Sequence, residues 1–182
     1  MKFLFLDRDG VINKDIGYMH KVSDIVYVDK VFDLIKRFSD SDYEIAIVTN
    51  QSGIGRGYFT VNEYLDVMNK IVQDIQSYLE VRKEIRIAVC PHTPWSGCKC
   101  RKPDTGLFVD IQNKEAVPID WRASVMVGDK ESDMLAGFKM GIGHLYKVTN
   151  DQNNYADVNV GPWAVVESLN EVLIPKDTVL NR

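Results

Sequence analysis

A chain of 182 residues, 45% hydrophobic and 26% charged, has the size and balance of one globular domain. That composition excludes a disordered, collagenous or disulfide-stapled chain. Its net charge of −4 supplies no basic footprint for nucleic acid or an anionic membrane surface.

In chain order, Lys2–Leu6 is a short apolar run stopped by Asp7-Arg8-Asp9-Gly10, the pattern of a buried strand followed by a turn. The run meets Asp7 too soon for a secretory signal core, and no uncharged apolar stretch reaches the roughly 18–20 residues that span a bilayer. A cytoplasmic location is expected. Val31–Phe38 has helical spacing, and Glu44–Val48 reads as a second buried strand ending at Thr49-Asn50. Thr60 with Glu63 makes a capping box ahead of apolar residues spaced i, i+3, i+4, i+7 from Val61 to Leu79. Ile85–Val89 is a third strand, Leu107–Lys114 a helix, and Ser124–Val127 a fourth strand ending at Gly128-Asp129. Glu131–Met140 follows as a helix with Gly141 as its left-handed cap. Ile142–Val148 and Val158–Val160 are weaker strands, and Pro162 marks the expected start of a last helix running through Leu173.

Strands alternating with helices imply an α/β fold, a Rossmann-like doubly wound parallel sheet with helices on both faces. Ligands bind such sheets beyond the carboxyl ends of the strands. Four strands end there in polar residues: Asp7-Arg8-Asp9, Thr49-Asn50, Cys90-Pro91-His92 and Gly128-Asp129. With no repeat, low-complexity segment or long linker, a single domain over residues 1–182 is expected.

Asp7 and Asp9 taken alone are also compatible with a plain turn. Asp129, however, brings a third carboxylate to the same rim, and three carboxylates at one edge repel unless a cation sits among them. Hard oxygen ligands with vacant positions suit Mg²⁺, which accepts substrate phosphate oxygens. A carboxylate is a competent nucleophile toward phosphorus. Thr49 and the amides after it can bind phosphoryl oxygens, and Lys102 can supply a point charge.

All three cysteines lie between Cys90 and Cys100, and an odd number in a cytoplasmic chain argues against a disulfide framework. Cys90, His92, Cys98 and Cys100 offer a Cys₃His set that closes a tetrahedral site without room for water, as in structural zinc. The spacing is not the usual finger spacing, which leaves incidental buried thiols open. Gly53-Ile54-Gly55-Arg56-Gly57 lacks dinucleotide and P-loop spacing, and is either a flexible connector or a close backbone approach to substrate. His20 and His144 read as structural or solvated, and Trp95 as packing its own loop.

Phe5-Leu6-Asp7-Arg8-Asp9-Gly10-Val11-Ile12-Asn13, Val48-Thr49-Asn50-Gln51-Ser52, Arg101-Lys102-Pro103 and Val127-Gly128-Asp129-Lys130 resemble, in order, the four signature motifs of haloacid-dehalogenase-type phosphatases. The resemblance runs from about residue 3 to about residue 148. It lies with the subgroup of heptose 1,7-bisphosphate 7-phosphatases and histidinol-phosphatases. It implies Asp7 as nucleophile and Mg²⁺ ligand, Asp9 as general acid/base touching the metal through its carbonyl, and Asp129 as the remaining Mg²⁺ ligand. Thr49 and Lys102 become stabilisers of the transferring phosphoryl group. The subgroup carries a matching zinc loop that ends directly at Arg101-Lys102-Pro103, and a sugar-contacting stretch similar to Asp15-Ile16-Gly17-Tyr18. Substrate contacts are therefore expected at Asp15, Gly17, Tyr18, Asn50, Gln51, Ser52, Arg56, Arg101 and Lys130.

No segment is long enough for an inserted cap, so a capless, open and monomeric enzyme acting on a small phosphorylated sugar is expected. The stretch from Asn50 to Phe59 looks like the heptose enzymes. The short connector between His92 and Cys98 resembles the histidinol-phosphatase side instead. Two other classes share some of these parts. A phospho-accepting receiver carries its modified Asp at the end of the third strand, where this chain has Cys90. A zinc-dependent interaction module would need only the Cys/His group.

Overall fold

Strands β1 (Lys2–Leu6), β2 (Tyr43–Asn50), β3 (Ile85–Cys90), β4 (Val125–Gly128), β5 (His144–Val148) and β6 (Ala164–Val166) pair in parallel in the order β3-β2-β1-β4-β5-β6. The computed structural model describes residues 1–79, 83–149 and 161–176. Side chains alternate across the sheet and build one core on each face. Leu4, Leu6, Ile45 and Ile47 face helices α1 (Val31–Ser39) and α3 (Val61–Tyr78), while α2 (Ser52–Gly55) is a single turn after β2. Phe3, Phe5, Ala46 and Val48 face α4 (Gly106–Lys114) and α5 (Glu131–Met140). Burial on both faces explains why the central strands read as continuous apolar runs.

Helix α3 starts where its capping box predicts. The Thr60 hydroxyl accepts from Glu63 N at 3.2 Å, and the Glu63 carboxylate accepts from Thr60 N at 2.7 Å. Helix α5 ends at Gly141 with φ +79°, as expected of a left-handed cap.

The expected C-terminal helix does not form. Ala164–Val166 extend and pair with Tyr146–Val148, so the chain adds β6 as an edge strand after β5. Two consecutive β-branched residues, Val165 and Val166, suit that pleated position better than a helix. Helical geometry returns only as a 3₁₀ turn, Leu169–Glu171, capped by Ser168. The expected strand at Val158–Val160 lies outside the described residues.

The order reverses at β1, which pairs with β2 on one side and β4 on the other. The carboxyl ends of β1 and β4 therefore flank the crevice where doubly wound sheets bind ligands. Between β1 and α1 only a 3₁₀ turn, Val22–Asp24, interrupts the loop. Among the described residues no inserted domain stands over this edge.

Candidate active site

Asp7 leaves β1 with its N–H donating to Val127 O at 3.0 Å, which sets its carboxylate beside the end of β4. The turn that follows must be tight. Gly10 has φ +86°, and a Cβ there would lie 2.4 Å from Asp129 Oδ2. Glycine at this position lets Asp129 approach the β1 loop. Carboxylate oxygens of Asp7, Asp129 and Asp133 consequently lie within 4.8 Å of one another.

Lys102 closes this group from the opposite side. Its side chain is 1% exposed, and its Nζ donates to Asp7 Oδ1 at 2.9 Å, Asp133 Oδ1 at 2.6 Å and Val48 O at 2.6 Å. Burial lowers its affinity for a proton, but Asp133 and Asp7 outweigh that and raise its pKa. Burial pushes the Asp7 carboxyl up to about 7, against the pull of Lys102 and with the help of Asp133, Asp129 and Asp9. Burial likewise pushes Asp129 up to about 6, against Lys130. Asp129 Oδ1 is buried with no hydrogen-bond partner. Three crowded carboxyls, two of them reluctant to ionise and one with an orphaned oxygen, fit a hard divalent cation.

Asp133 is the member of this group that the sequence motifs did not single out. It stands four residues after Asp129, in the first turn of α5, and Lys130 N donates to its Oδ2 at 3.1 Å. In sequence it reads as an ordinary acidic cap. Only its salt bridge to Lys102 reveals the second use.

The Asp9 side chain stays outside the trio. Its carboxylate accepts from Arg8, from Asn13 Nδ2 at 2.9 Å and from Gln51 Nε2 at 2.8 Å. Thr49 is buried at the end of β2, and its Oγ1 accepts from Gln51 Nε2 at 2.9 Å. Asn50 accepts from Lys102 N and donates to Lys102 O, both at 3.1 Å. The amides of Asn50 and Gln51, expected to meet substrate, are thus engaged within the protein: one pins the Lys102 backbone and the other joins Asp9 to Thr49.

A cavity of about 220 Å³ opens over these groups. Asp7, Asp9, Lys102 and Asp133 form part of its wall, with Asp15, Gly17, Tyr18, Asn50, Gln51, Ser52, Arg101 and Lys130 around them. The 13–20 flap is held in place by its own turn. Asp15 Oδ1 accepts from Gly17 N at 2.9 Å, and Asp15 Oδ2 accepts from Lys130 Nζ at 3.0 Å. Burial opposes ionisation of Asp15, but these two donors hold its carboxyl below the usual range. Tyr18 sits at φ +38° with its ring edge-to-face on Tyr58, centroids 4.7 Å apart.

Arg56 does not reach the cavity wall. Its guanidinium lies 4.5 Å from the centroid of Trp95, which is 72% exposed, a cation–π contact between the α2 loop and the 90–100 loop. That placement sets Arg56 against the 90–100 loop, and it leaves the Trp95 ring exposed where a packed position was expected. The side chain is long enough to cross to an exposed aromatic face, and sequence spacing cannot say so.

Cys90, His92, Cys98 and Cys100 converge in the 90–100 loop. Cys90 Sγ lies 3.6 Å from His92 Nδ1, 3.7 Å from Cys98 Sγ and 3.3 Å from Cys100 Sγ, and His92 Nδ1 lies 3.2 Å from Cys100 Sγ. All four ligand atoms fall within 4.8 Å, a group that could hold a metal ion. The loop runs straight into Arg101, whose Nη1 donates to His92 O at 3.5 Å, and then into Lys102. Among the described residues, no helix is long and apolar enough to cross a membrane.

The family model for polynucleotide kinase 3 phosphatase matches residues 3–160. A probable D-glycero-D-manno-heptose-1,7-bisphosphate 7-phosphatase of Thermoplasma volcanium is 44% identical over 133 residues, covering 71% of this chain and 86% of that protein. The D-glycero-alpha-D-manno-heptose-1,7-bisphosphate 7-phosphatase of Photorhabdus laumondii is 38% identical over 156 residues, covering 81% of this chain and 82% of that protein. Among solved structures, the D,D-heptose 1,7-bisphosphate phosphatase from B. bronchiseptica, complexed with magnesium and phosphate, superposes with a TM-score of 0.78 at 29% identity, covering 93% of this chain and 94% of that one. With its strand order, its acidic crevice and these relatives in agreement, the chain belongs to the haloacid-dehalogenase-type phosphatases, alongside the heptose bisphosphate phosphatases.

Proposed function

We propose that the protein is a Mg²⁺-dependent phosphatase that removes the C7 phosphate of a D-glycero-D-manno-heptose 1,7-bisphosphate. The observation that carries this reading is the buried Asp7 carboxylate in the cavity wall, tied at one oxygen to Lys102 and within 4.8 Å of carboxylate oxygens of Asp129 and Asp133. The relatives named above favour a heptose bisphosphate over histidinol phosphate. The net charge of −4 argues against a polynucleotide substrate.

In this reading Asp7 attacks phosphorus, the bond from phosphorus to the C7 oxygen breaks, and Asp9 gives that oxygen its proton. Asp9 then takes a proton from water, which attacks the aspartyl-phosphate, releases inorganic phosphate and restores Asp7. Lys102 holds Asp7 Oδ1 and leaves the other oxygen to attack, while Lys102 and Thr49 offset negative charge on the transferring group. Asp7, Asp129 and the Asp9 carbonyl would hold Mg²⁺, with Asp133 beside them anchoring Lys102. When bound, the ion relieves the repulsion among the carboxylates and polarises phosphoryl oxygens. Asp15, Gly17 and Tyr18 of the flap meet the sugar, and Ser52, Arg101 and Lys130 answer its hydroxyls and second phosphate.

Cys90, His92, Cys98 and Cys100 would hold structural Zn²⁺. Ligands about 2.0–2.3 Å from a tetrahedral zinc lie roughly 3.5–3.8 Å from one another, close to the observed 3.2–3.7 Å. The closed loop would fix Arg101 and Lys102 at the cavity. Three cysteines with no disulfide among them suit a reducing cytoplasm.

The test is phosphate release, with Mg²⁺, from heptose 1,7-bisphosphate and histidinol phosphate side by side, with Asp7→Asn as control. Selective turnover of the heptose, lost in the variant, is expected. A preference for histidinol phosphate, or equal turnover by the variant, overturns the assignment.

A further inference from the structure

Arg8 is a fully buried charge beside the phosphatase machinery that none of the proposed catalytic steps uses. Its Nε donates to Asp9 Oδ1 at 3.0 Å, and its Nη2 lies 2.9 Å from each Asp9 oxygen. The same Nη2 reaches Met19 O in the flap at 3.4 Å, while Nη1 is buried with no partner. A guanidinium buried only for structure gains by satisfying all its donors. This one leaves a donor orphaned and directs its other edge onto one carboxylate. Gln51 completes the arrangement from the end of β2, donating through Nε2 to Asp9 Oδ2 at 2.8 Å and to Thr49 Oγ1 at 2.9 Å. Both Asp9 oxygens are therefore held from two sides, by residues of two strand ends, with Asn13 adding a donor to Oδ1 at 2.9 Å.

We propose that Arg8 and Gln51 are positioning residues that fix the orientation of the Asp9 carboxylate for proton transfer to the leaving oxygen and from the attacking water. The inference rests on Asp9 being the acid/base of the phosphatase reading. Proton transfer requires the carboxyl within hydrogen-bond reach of the reacting oxygen, so a carboxylate free to rotate loses most of its use. Arg8 can hold both Asp9 oxygens because its fork is planar and rigid. Lysine in its place keeps the charge but not the two-point hold.

Leaving-group chemistry separates positioning from plain structural support. A sugar alkoxide needs a proton as it leaves, whereas nitrophenolate does not. Arg8→Lys and Gln51→Leu are compared with the unaltered protein on heptose 1,7-bisphosphate and p-nitrophenyl phosphate, in single-turnover and steady-state assays, with thermal melts as a folding check. The variants are expected to slow the first turnover of the sugar phosphate about 10²-fold, at the low end of general acid–base effects. That loss should exceed the loss on the aryl phosphate at least tenfold, and the aryl phosphate should show a nitrophenolate burst followed by slow turnover. Equal losses on the two substrates, or no loss on either, overturn the inference. If Arg8→Lys does not fold, the same comparison on Gln51→Leu decides. An unaltered protein that turns over neither substrate refutes the phosphatase reading itself, a distinct outcome.

Discussion

Replacing Lys102 by methionine tests the electrostatic reading of the cavity most directly, because the change keeps the length of the side chain and removes only its charge. Lys102 is the cation that contacts both Asp7 Oδ1, at 2.9 Å, and Asp133 Oδ1, at 2.6 Å, with side-chain exposures of 1%, 8% and 2% for the three residues. Removing one partner from a buried ion pair costs about 3–5 kcal/mol, since the charge left behind has no compensation. For a chain of this size each kcal/mol lowers Tm by about 2–4 °C, so a fall of roughly 6–20 °C is expected without metal. The pH dependence has a definite sign. Lys102 pulls the Asp7 pKa down against burial, which still leaves it at about 7, so the loss of Lys102 raises that pKa further. A carboxyl whose folded pKa lies above its unfolded value costs stability as pH rises through that interval. The deficit of Lys102→Met should therefore shrink at about pH 5 and be largest at about pH 8. Added Mg²⁺ should raise the Tm of the variant more than that of the unaltered protein, because the cation enters a cluster that has lost its own. The assay is thermal denaturation at both pH values, with chelator or with Mg²⁺. A Tm change under about 2 °C, or one indifferent to pH and Mg²⁺, would refute the claim that Lys102 balances these carboxylates.

Gly10→Ala places a Cβ 2.4 Å from Asp129 Oδ2 at φ +86°, and should weaken Mg²⁺ binding at least tenfold by calorimetry while leaving far-UV circular dichroism native. Apparent Mg²⁺ affinity should fall as pH drops below about 7 and then about 6, where Asp7 and Asp129 take up protons. A competing proton costs about tenfold per pH unit, measurable by calorimetry across that interval. Cys98→Ser should lower bound zinc in elemental analysis and reduce phosphatase turnover together, because the thiol belongs to the four-ligand group that leads into Arg101 and Lys102.

The alternation of strands and helices was legible in the sequence because apolar periodicity and caps are local signals. The Thr60–Glu63 box and the αL glycine at Gly141 each lie within the turn they cap. The edge strand β6 was not legible, because Ala164–Val166 become a strand only through pairing with β5, a partner far away in sequence. The same distinction runs through the candidate site. Asp7, Asp9, Thr49, Lys102 and Asp129 announce themselves as polar residues at strand ends or in ordered motifs. Asp133 reads as a helix cap, and Arg8 as one more charge in a turn. What they do depends on facing Lys102 and Asp9.

The sequence by itself determined the sheet, its acidic carboxyl edge and the Cys/His loop, because strand periodicity and ligand type are written residue by residue. Tertiary structure alone decided which oxygen meets which cation. Asp7 and Lys102 lie 95 positions apart yet share a hydrogen bond, the Asn50 and Gln51 amides turn inward, and Arg56 lies on Trp95. Such pairings follow from strand order and from the reach of long side chains in a packed interior, where each buried charge must find its partner across the fold.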